Sequence, residues 1–175
     1  NPLRLAEFTL SRKDPAYVGR AKEVHAVEAA REAGQCPCAV SEEVAAVYDA
    51  LQGKFGALNA KDIVLGSTIY ANKPGDGSAR EQAASCQRVL GGAANLAREY
   101  ATKRYRSNLI NWGMLPFLAP SAEDFQVGDY LFLPQVRDRV RDGAPTQASI
   151  VRGGKIVGEV RLRLGALTDD ERQIL

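Results

Sequence analysis

The sequence of 175 residues predicts an α/β fold, and two stretches carry that expectation. The first opens on an apolar run, Asp62-Ile63-Val64-Leu65-Gly66. It continues through Ala79, Ala83, Cys86 and Leu90 at helical spacing and closes on a short strand near Ala94 to Ala97. Strand, helix and strand in that order make a βαβ unit, whose parallel strands are joined by a right-handed crossover. The second is the alternating run Lys155 to Leu164, which pairs with Ala148 to Arg152 across Gly153-Gly154. Two glycines between alternating runs form the tight turn of an antiparallel hairpin.

Taken in order, Asn1 to Lys13 mixes Leu3, Leu5, Phe8 and Leu10 with polar residues and fits a strand or an arm. Residues 1–40 as a whole are the least defined part of the chain. Asp14-Pro15 interrupts any helix, and Tyr17-Val18-Gly19-Arg20 reads as a loop or short strand. Ala21 to Ala33, rich in Ala, Glu, Lys and Arg, favours a helix that Gly34 ends. It carries the single histidine, His25, read as a surface or internally satisfied residue. Ser41 is a natural N-cap for a helix with Val44, Val47, Leu51 and Phe55 on one face, ending near Gly53 to Gly56 and packing on a sheet.

Ile63 to Leu65 is the expected first strand, and Ser67 to Asp76 a long loop. Arg98 to Gly113 reads as a helix, and Met114 to Leu118 as a buried apolar run. Ser121 to Asp124 suggests a short capped helix, Tyr130 to Leu133 a strand, and Thr168 to Glu171 the start of a last helical turn.

Composition narrows the function classes. The apolar and charged fractions, 45% and 25%, are those of a soluble globular domain. No apolar run approaches the roughly 20 residues of a membrane span, so no membrane partner is expected. A net charge of +2 gives no general case for nucleic acid. Lys103, Arg104 and Arg106 beside Tyr100 and Tyr105 do combine basic and aromatic groups as RNA-binding segments do, and a solvated basic face is the alternative. Cys36, Cys38 and Cys86 are too few and too unevenly spaced for a disulfide framework, which fits a reducing, cytoplasmic setting. C-x-C matches neither a C-x-x-C redox motif nor half of a zinc site. Asn1-Pro2-Leu3-Arg4 has no initiator Met and no signal-peptide zones, so the expectation is one domain, residues 1–175, excised from a longer chain.

The chemistry centres on Gly75-Asp76-Gly77-Ser78-Ala79-Arg80-Glu81-Gln82. Ser78 and Glu81 have the spacing of a capping box, which is one complete account of the serine. The other is chemical. Free N–H groups and the positive end of a helix dipole attract an anion, Arg80 adds a fork suited to a carboxylate, and both stabilise a serine alkoxide.

Gly77-Ser78-Ala79-Arg80-Glu81 resembles the Gly-Ser-Ser-Arg-Glu motif in the C-terminal, swivelling domain of the aconitase superfamily. Arg106-Ser107-Asn108-Leu109-Ile110-Asn111-Trp112-Gly113-Met114-Leu115-Pro116 is similar to the Arg-x-Asn-Leu-Ile-Asn-Phe-Gly-Ile-Leu-Pro run of aconitase-type enzymes. The resemblance runs roughly from Val44 to the C-terminus. It implies a three-layer swivelling β/β/α domain with a mixed sheet, serving a hydro-lyase that reversibly dehydrates a small hydroxy-acid.

In that family Ser78 would remove a proton from carbon, while Arg80, with Gly77, Ala79 and Arg20 beside it, would hold substrate. A 4Fe–4S cluster bound by another domain of the parent chain takes the hydroxyl as a Lewis acid. Alone, the domain would be inactive and metal-free. A small subunit of the isopropylmalate isomerase kind is the nearest variant, and an RNA-binding or regulatory module of an aconitase relative is the alternative function. Two departures bear on substrate: Ala79 replaces the motif's second serine and Gln82 a histidine.

Overall fold

A computed structural model describes residues 15–59, 62–71, 80–100, 103–119 and 125–175. The first half of the chain folds as α1 (Pro15–Glu32), α2 (Pro37–Val40), α3 (Glu42–Phe55), β1 (Ser67–Ala71), α4 (Arg80–Val89), β2 (Gly92–Ala97), α5 (Lys103–Asn111) and β3 (Leu115–Leu118). It continues as β4 (Tyr130–Phe132), α6 (Val136–Asp142), β5 (Thr146–Arg152), β6 (Lys155–Leu162) and α7 (Asp169–Ile174). The first three strands form a parallel sheet in the order β1-β2-β3, and the last three an antiparallel sheet in the order β4-β5-β6. The two meet at one antiparallel bridge between Leu118 and Arg163. Pairing is therefore mixed, as an α/β domain of the expected class requires.

The core lies between the sheets. Leu96 and Phe117 from the parallel sheet pack against Ala148, Ile150, Val160 and Leu162 from the antiparallel one, with Val140 of α6 closing one side. On the far face of the parallel sheet, α1 and α4 share Tyr17, Val18, Ala21, Cys86 and Leu90, while α4 and α5 share Ala84, Tyr105 and Leu109. The layers run antiparallel sheet, parallel sheet, helices. Outside the antiparallel sheet, α3 lays Val47 and Leu51 on Val151 and Ile156, so the amphipathic helix does pack on strands. Ser41 caps it, its hydroxyl accepting from the Val44 N–H at 3.2 Å.

Four expectations are corrected. The first strand is not Ile63 to Leu65, and Ser67 to Ala71 is not loop: these five residues are β1. The Leu65 N–H donates instead to Glu28 Oε2 at 2.8 Å, and the same oxygen accepts from Arg31 Nε at 2.8 Å, so a side chain of α1 removes Leu65 from any ladder. Gly66 then lets the chain enter β1 against Ala93, whose Cβ would lie 2.4 Å from any Cβ at position 66. Tyr17 to Arg20 is helix rather than loop or strand. Pro15 stands at the first position of α1, where a missing N–H costs nothing, and burial of Tyr17 and Val18 against Leu90 rewards the extra turn. The helix expected from Arg98 is absent over Arg98 to Tyr100 and is described from Lys103, because β2 runs on to Ala97 and Tyr100 turns inward. Finally, α6 was unforeseen. It starts from Gln135 in a left-handed conformation (φ 54°) and ends at Gly143 (φ 70°).

The hairpin is as expected, with Gly153 (φ 59°) and Gly154 (φ 76°) in the left-handed region that its two-residue turn demands. The box on α7 closes both ways: Thr168 accepts from the Glu171 N–H and Glu171 from the Thr168 N–H. The arm Asn1 to Lys13 and the suggested helix at Ser121 to Asp124 lie outside the described residues. Among the described residues no helix is long and apolar enough to cross a membrane.

Candidate active site

The parallel unit fixes where the serine motif enters. The Ser67 N–H donates to the Gly91 carbonyl at 3.1 Å, which pins the C-terminal end of α4 to the amino edge of β1. Ten residues of helix rise about 15 Å, so α4 begins at the opposite edge, where the strands present their carboxyl ends. Arg80 is the first described residue of α4. Open α/β sheets bind ligands at that edge, and a helix start there offers N–H groups and a positive dipole end to an anion. Gly77, Ser78 and Ala79 lie outside the described residues, as does the capping-box pairing of Ser78 with Glu81.

Arg20 sits elsewhere. Its neighbour Tyr17 shares a 2.9 Å hydrogen bond with Ser67 Oγ, and His25, one turn further along α1, lies against Gly91. Both anchors belong to the amino edge, so the fold does not bring Arg20 and Arg80 to the same end of the sheet.

Behind the carboxyl edge runs a buried polar network absent from the sequence reading. Gln87 of α4 donates through Nε2 to Asn95 Oδ1 of β2 at 2.6 Å, and Asn95 Nδ2 donates to the Tyr105 hydroxyl of α5 at 3.1 Å. The Tyr100 hydroxyl donates to the Asn95 and Phe117 carbonyls at 3.3 and 3.0 Å, joining β2 to β3. Burial pushes the Tyr17, Tyr100 and Tyr105 phenols up from their usual range, so all three stay protonated. They hold geometry and supply no base. The available signal was a lone amide inside the small apolar run Ala93-Ala94-Asn95-Leu96-Ala97.

The second motif resolves into two structural devices. Gly113 (φ 74°) ends α5 in a Schellman arrangement: its N–H meets the Ile110 carbonyl at 2.8 Å and the Met114 N–H the Leu109 carbonyl at 2.9 Å. Leu109 and Met114, both fully buried, supply the apolar contact that accompanies this stop. Arg106 reaches the segment that follows β6. Its guanidinium donates to the Leu164 and Ala166 carbonyls at 3.0 and 2.7 Å and lies 3.9 Å from the Glu171 carboxylate.

The three cysteines do not converge. Cys86 is buried between α4 and α1, whereas exposed Cys36 and half-buried Cys38 flank Pro37 at α2. Among the described residues no three His, Cys, Asp or Glu side chains gather as a metal site. The residues described do not fit a 4Fe–4S cluster.

A parallel sheet covered by helices on one face and backed by a second, antiparallel sheet on the other defines a layered α/β domain. A family model of the aconitase C-terminal domain matches residues 32–122, just over half of the chain. The chain belongs to that family. The match takes in both sequence motifs and α2 through β3, and ends before the antiparallel sheet, short of the C-terminal extent that the resemblance suggested. Curated proteins include no match to the chain.

Proposed function

We propose that this domain gives an aconitase-like hydro-lyase its base serine, Ser78, and a carboxylate-binding arginine, Arg80. The observation that carries the reading is that the N-terminal side of α4 faces the carboxyl edge of the parallel sheet, with Arg80 its first described residue and Ser78 two positions earlier in the sequence. A serine hydroxyl alone is a poor base. Beside a helix N-terminus and a guanidinium its alkoxide gains preorganised positive charge that costs no reorganisation during reaction.

The Ser78 oxygen then takes the proton from the substrate carbon, and the C–H electron pair becomes the new double bond as hydroxyl leaves. Arg80 holds a carboxylate of the hydroxy-acid through two parallel N–H donors. Gly77 and Ala79 admit the substrate to the backbone, and because Ala79 lacks the hydroxyl of the family's second serine, the hydroxy-acid need not be citrate. Arg20, anchored at the amino edge, stays outside this site. Any cluster assisting loss of hydroxyl would be held by other domains of a parent chain, which are the partners this reading requires. An RNA-binding role has less support: Tyr105 is buried and Tyr100 is spent on main-chain carbonyls, so neither ring is free to stack on a base.

The test uses the parent enzyme. Ser78→Ala should lower kcat by about 10² to 10⁴ with little change in substrate affinity, and Arg80→Lys should chiefly weaken binding by losing the bidentate contact. A serine that only caps α4 behaves differently: Ser78→Ala then costs about 1 kcal/mol of stability, and Ser78→Asp, another good cap, restores it. Full turnover in Ser78→Asp would remove the serine from the chemistry.

A further inference from the structure

Cys36 and Cys38 lie far along the chain from the serine motif, and neither the family nor the proposed site uses them. Cys36 is exposed and stands just before α2, while Cys38 is half-buried against Val27, Val44 and Tyr48. A single residue, Pro37, separates them, with Cys36 at the N-cap of α2 and Cys38 inside its first turn. Tyr48 supplies the second, independent observation. It is 4% exposed, its ring packs beside Cys38, and its hydroxyl has no hydrogen-bond partner among the described residues. A buried hydroxyl left unpaired is costly, and Cys38 is among the side chains packed against its cluster.

We propose that Cys36 and Cys38 form a redox-active dithiol, with Cys36 attacking and Cys38 resolving, that closes to a disulfide by exchange with a small-molecule disulfide such as glutathione disulfide. The Cys36 thiolate attacks one sulfur of that disulfide, its S–S bond breaks, and one glutathione thiolate leaves. Cys38 then loses its proton and attacks Cys36 Sγ, expelling the second glutathione. One protein disulfide forms and one glutathione disulfide is reduced to two thiols, which carry the two protons the cysteines gave up.

The division of roles follows from the surroundings. The Cys38 amide and then the Cys38 thiol hold the Cys36 thiol below its usual range, although its sulfur makes no full capping hydrogen bond. Burial, followed by the neighbouring Cys36 thiol, holds Cys38 above. A nucleophile must be exposed and partly ionised, whereas a resolving thiol need only reach its neighbour. Two residues of chain span at most about 7 Å, within reach of the Cα separations that disulfides bridge. So short a ring is strained, which makes the bond easily reduced and suits it to a reversible role. The Tyr48 hydroxyl, unpaired while both thiols are reduced, would turn to the Cys38 thiolate during the resolving step.

Equilibration of the folded protein in glutathione redox buffers, followed by alkylation and peptide mapping, tests this. Expected is one bond linking Cys36 to Cys38, with Cys86 still reduced, and iodoacetamide labelling of Cys36 at least about tenfold faster than of Cys86. Cys38→Ser should trap glutathione on Cys36. Tyr48→Phe should slow closure of the mixed disulfide while leaving the first labelling rate of Cys36 unchanged. A stable glutathione adduct on wild-type Cys36, a bond between two chains, or equal labelling of Cys36 and Cys86 would overturn the proposal.

Discussion

Asn95 is one side chain on which three elements depend. It is 3% exposed, accepts from Gln87 and donates to Tyr105, so neither partner has water to fall back on. Asn95→Leu keeps the volume but takes the 2.6 Å acceptor from the Gln87 amide, itself 2% exposed, leaving it the longer 3.3 Å bond to the Ala94 carbonyl, and takes the donor from the buried Tyr105 hydroxyl. Each buried group left unsatisfied costs about 1–3 kcal/mol. The expected outcome is a loss in that range, larger than for the pair Asn95→Leu with Gln87→Leu, which removes both polar ends. Urea midpoints of the two variants check it. Such a network was invisible in the sequence because its members come from different elements and obey no period. Ser78 and Arg80 were visible for the opposite reason: contiguity, and a spacing that a helix start imposes. Arg106 shows the limit of motif reading, since its place in the second motif said nothing of the Leu164 and Ala166 carbonyls it binds.

Elements with strong local chemistry were legible. The Gly153-Gly154 hairpin, the Ser41 cap and the Thr168 box each rest on residues within a few positions of one another. β1 was misplaced by a few residues because an apolar run by itself fixes neither burial nor pairing. Val64 is 63% exposed, while Ser67 to Ala71, less apolar, has β2 beside it. α6 was missed since only Val136 and Val140 mark its inner face.

The antiparallel sheet carries a pH-dependent tie between its elements. Arg152 of β5 donates from Nε to Asp129 Oδ1 at 2.8 Å and from a terminal nitrogen to Oδ2 at 2.9 Å, just before β4. The Arg152 guanidinium holds the Asp129 carboxyl below its usual range, helped by the Gln126 N–H and opposed by burial. A carboxyl with a depressed pKa when folded contributes stability fully present above its unfolded value, about 3.9, and lost as pH falls through the folded one. Arg152→Gln should therefore destabilise by about 1–3 kcal/mol at neutral pH. The gap from wild type should narrow below about pH 4. Denaturation midpoints at several pH values give the answer, and a constant gap would mean that Arg152 acts through packing alone.

At the scale of the molecule, two sheets of opposite pairing are held by an apolar interior and a small number of polar ties. One tie is Arg106, reaching from α5 to the segment between β6 and α7. Arg106→Met keeps the length of the stem, leaves those two carbonyls without this donor and removes the charge 3.9 Å from the Glu171 carboxylate. It should cost about 1–3 kcal/mol. Amide hydrogen exchange should show faster opening of α7 in this variant, with β1 and β2 unaffected, if the tie is local. The class of fold was legible because a βαβ unit and a hairpin each announce themselves. How the sheets meet was not, since nothing local marks Leu118 and Arg163 as partners.

That meeting point also governs what the parallel sheet offers to other molecules. β3 is its outermost strand on one side, and an uncovered outermost strand is a template on which a foreign chain can add itself. Here the invitation is withdrawn. β3 is four residues long, Pro116 has no N–H to give, and Leu118 exchanges both of its main-chain bonds with Arg163. Phe117, 1% exposed, is sealed under the antiparallel sheet. The strand that carries the most apolar surface in the parallel sheet is thus the one least able to seed aggregation.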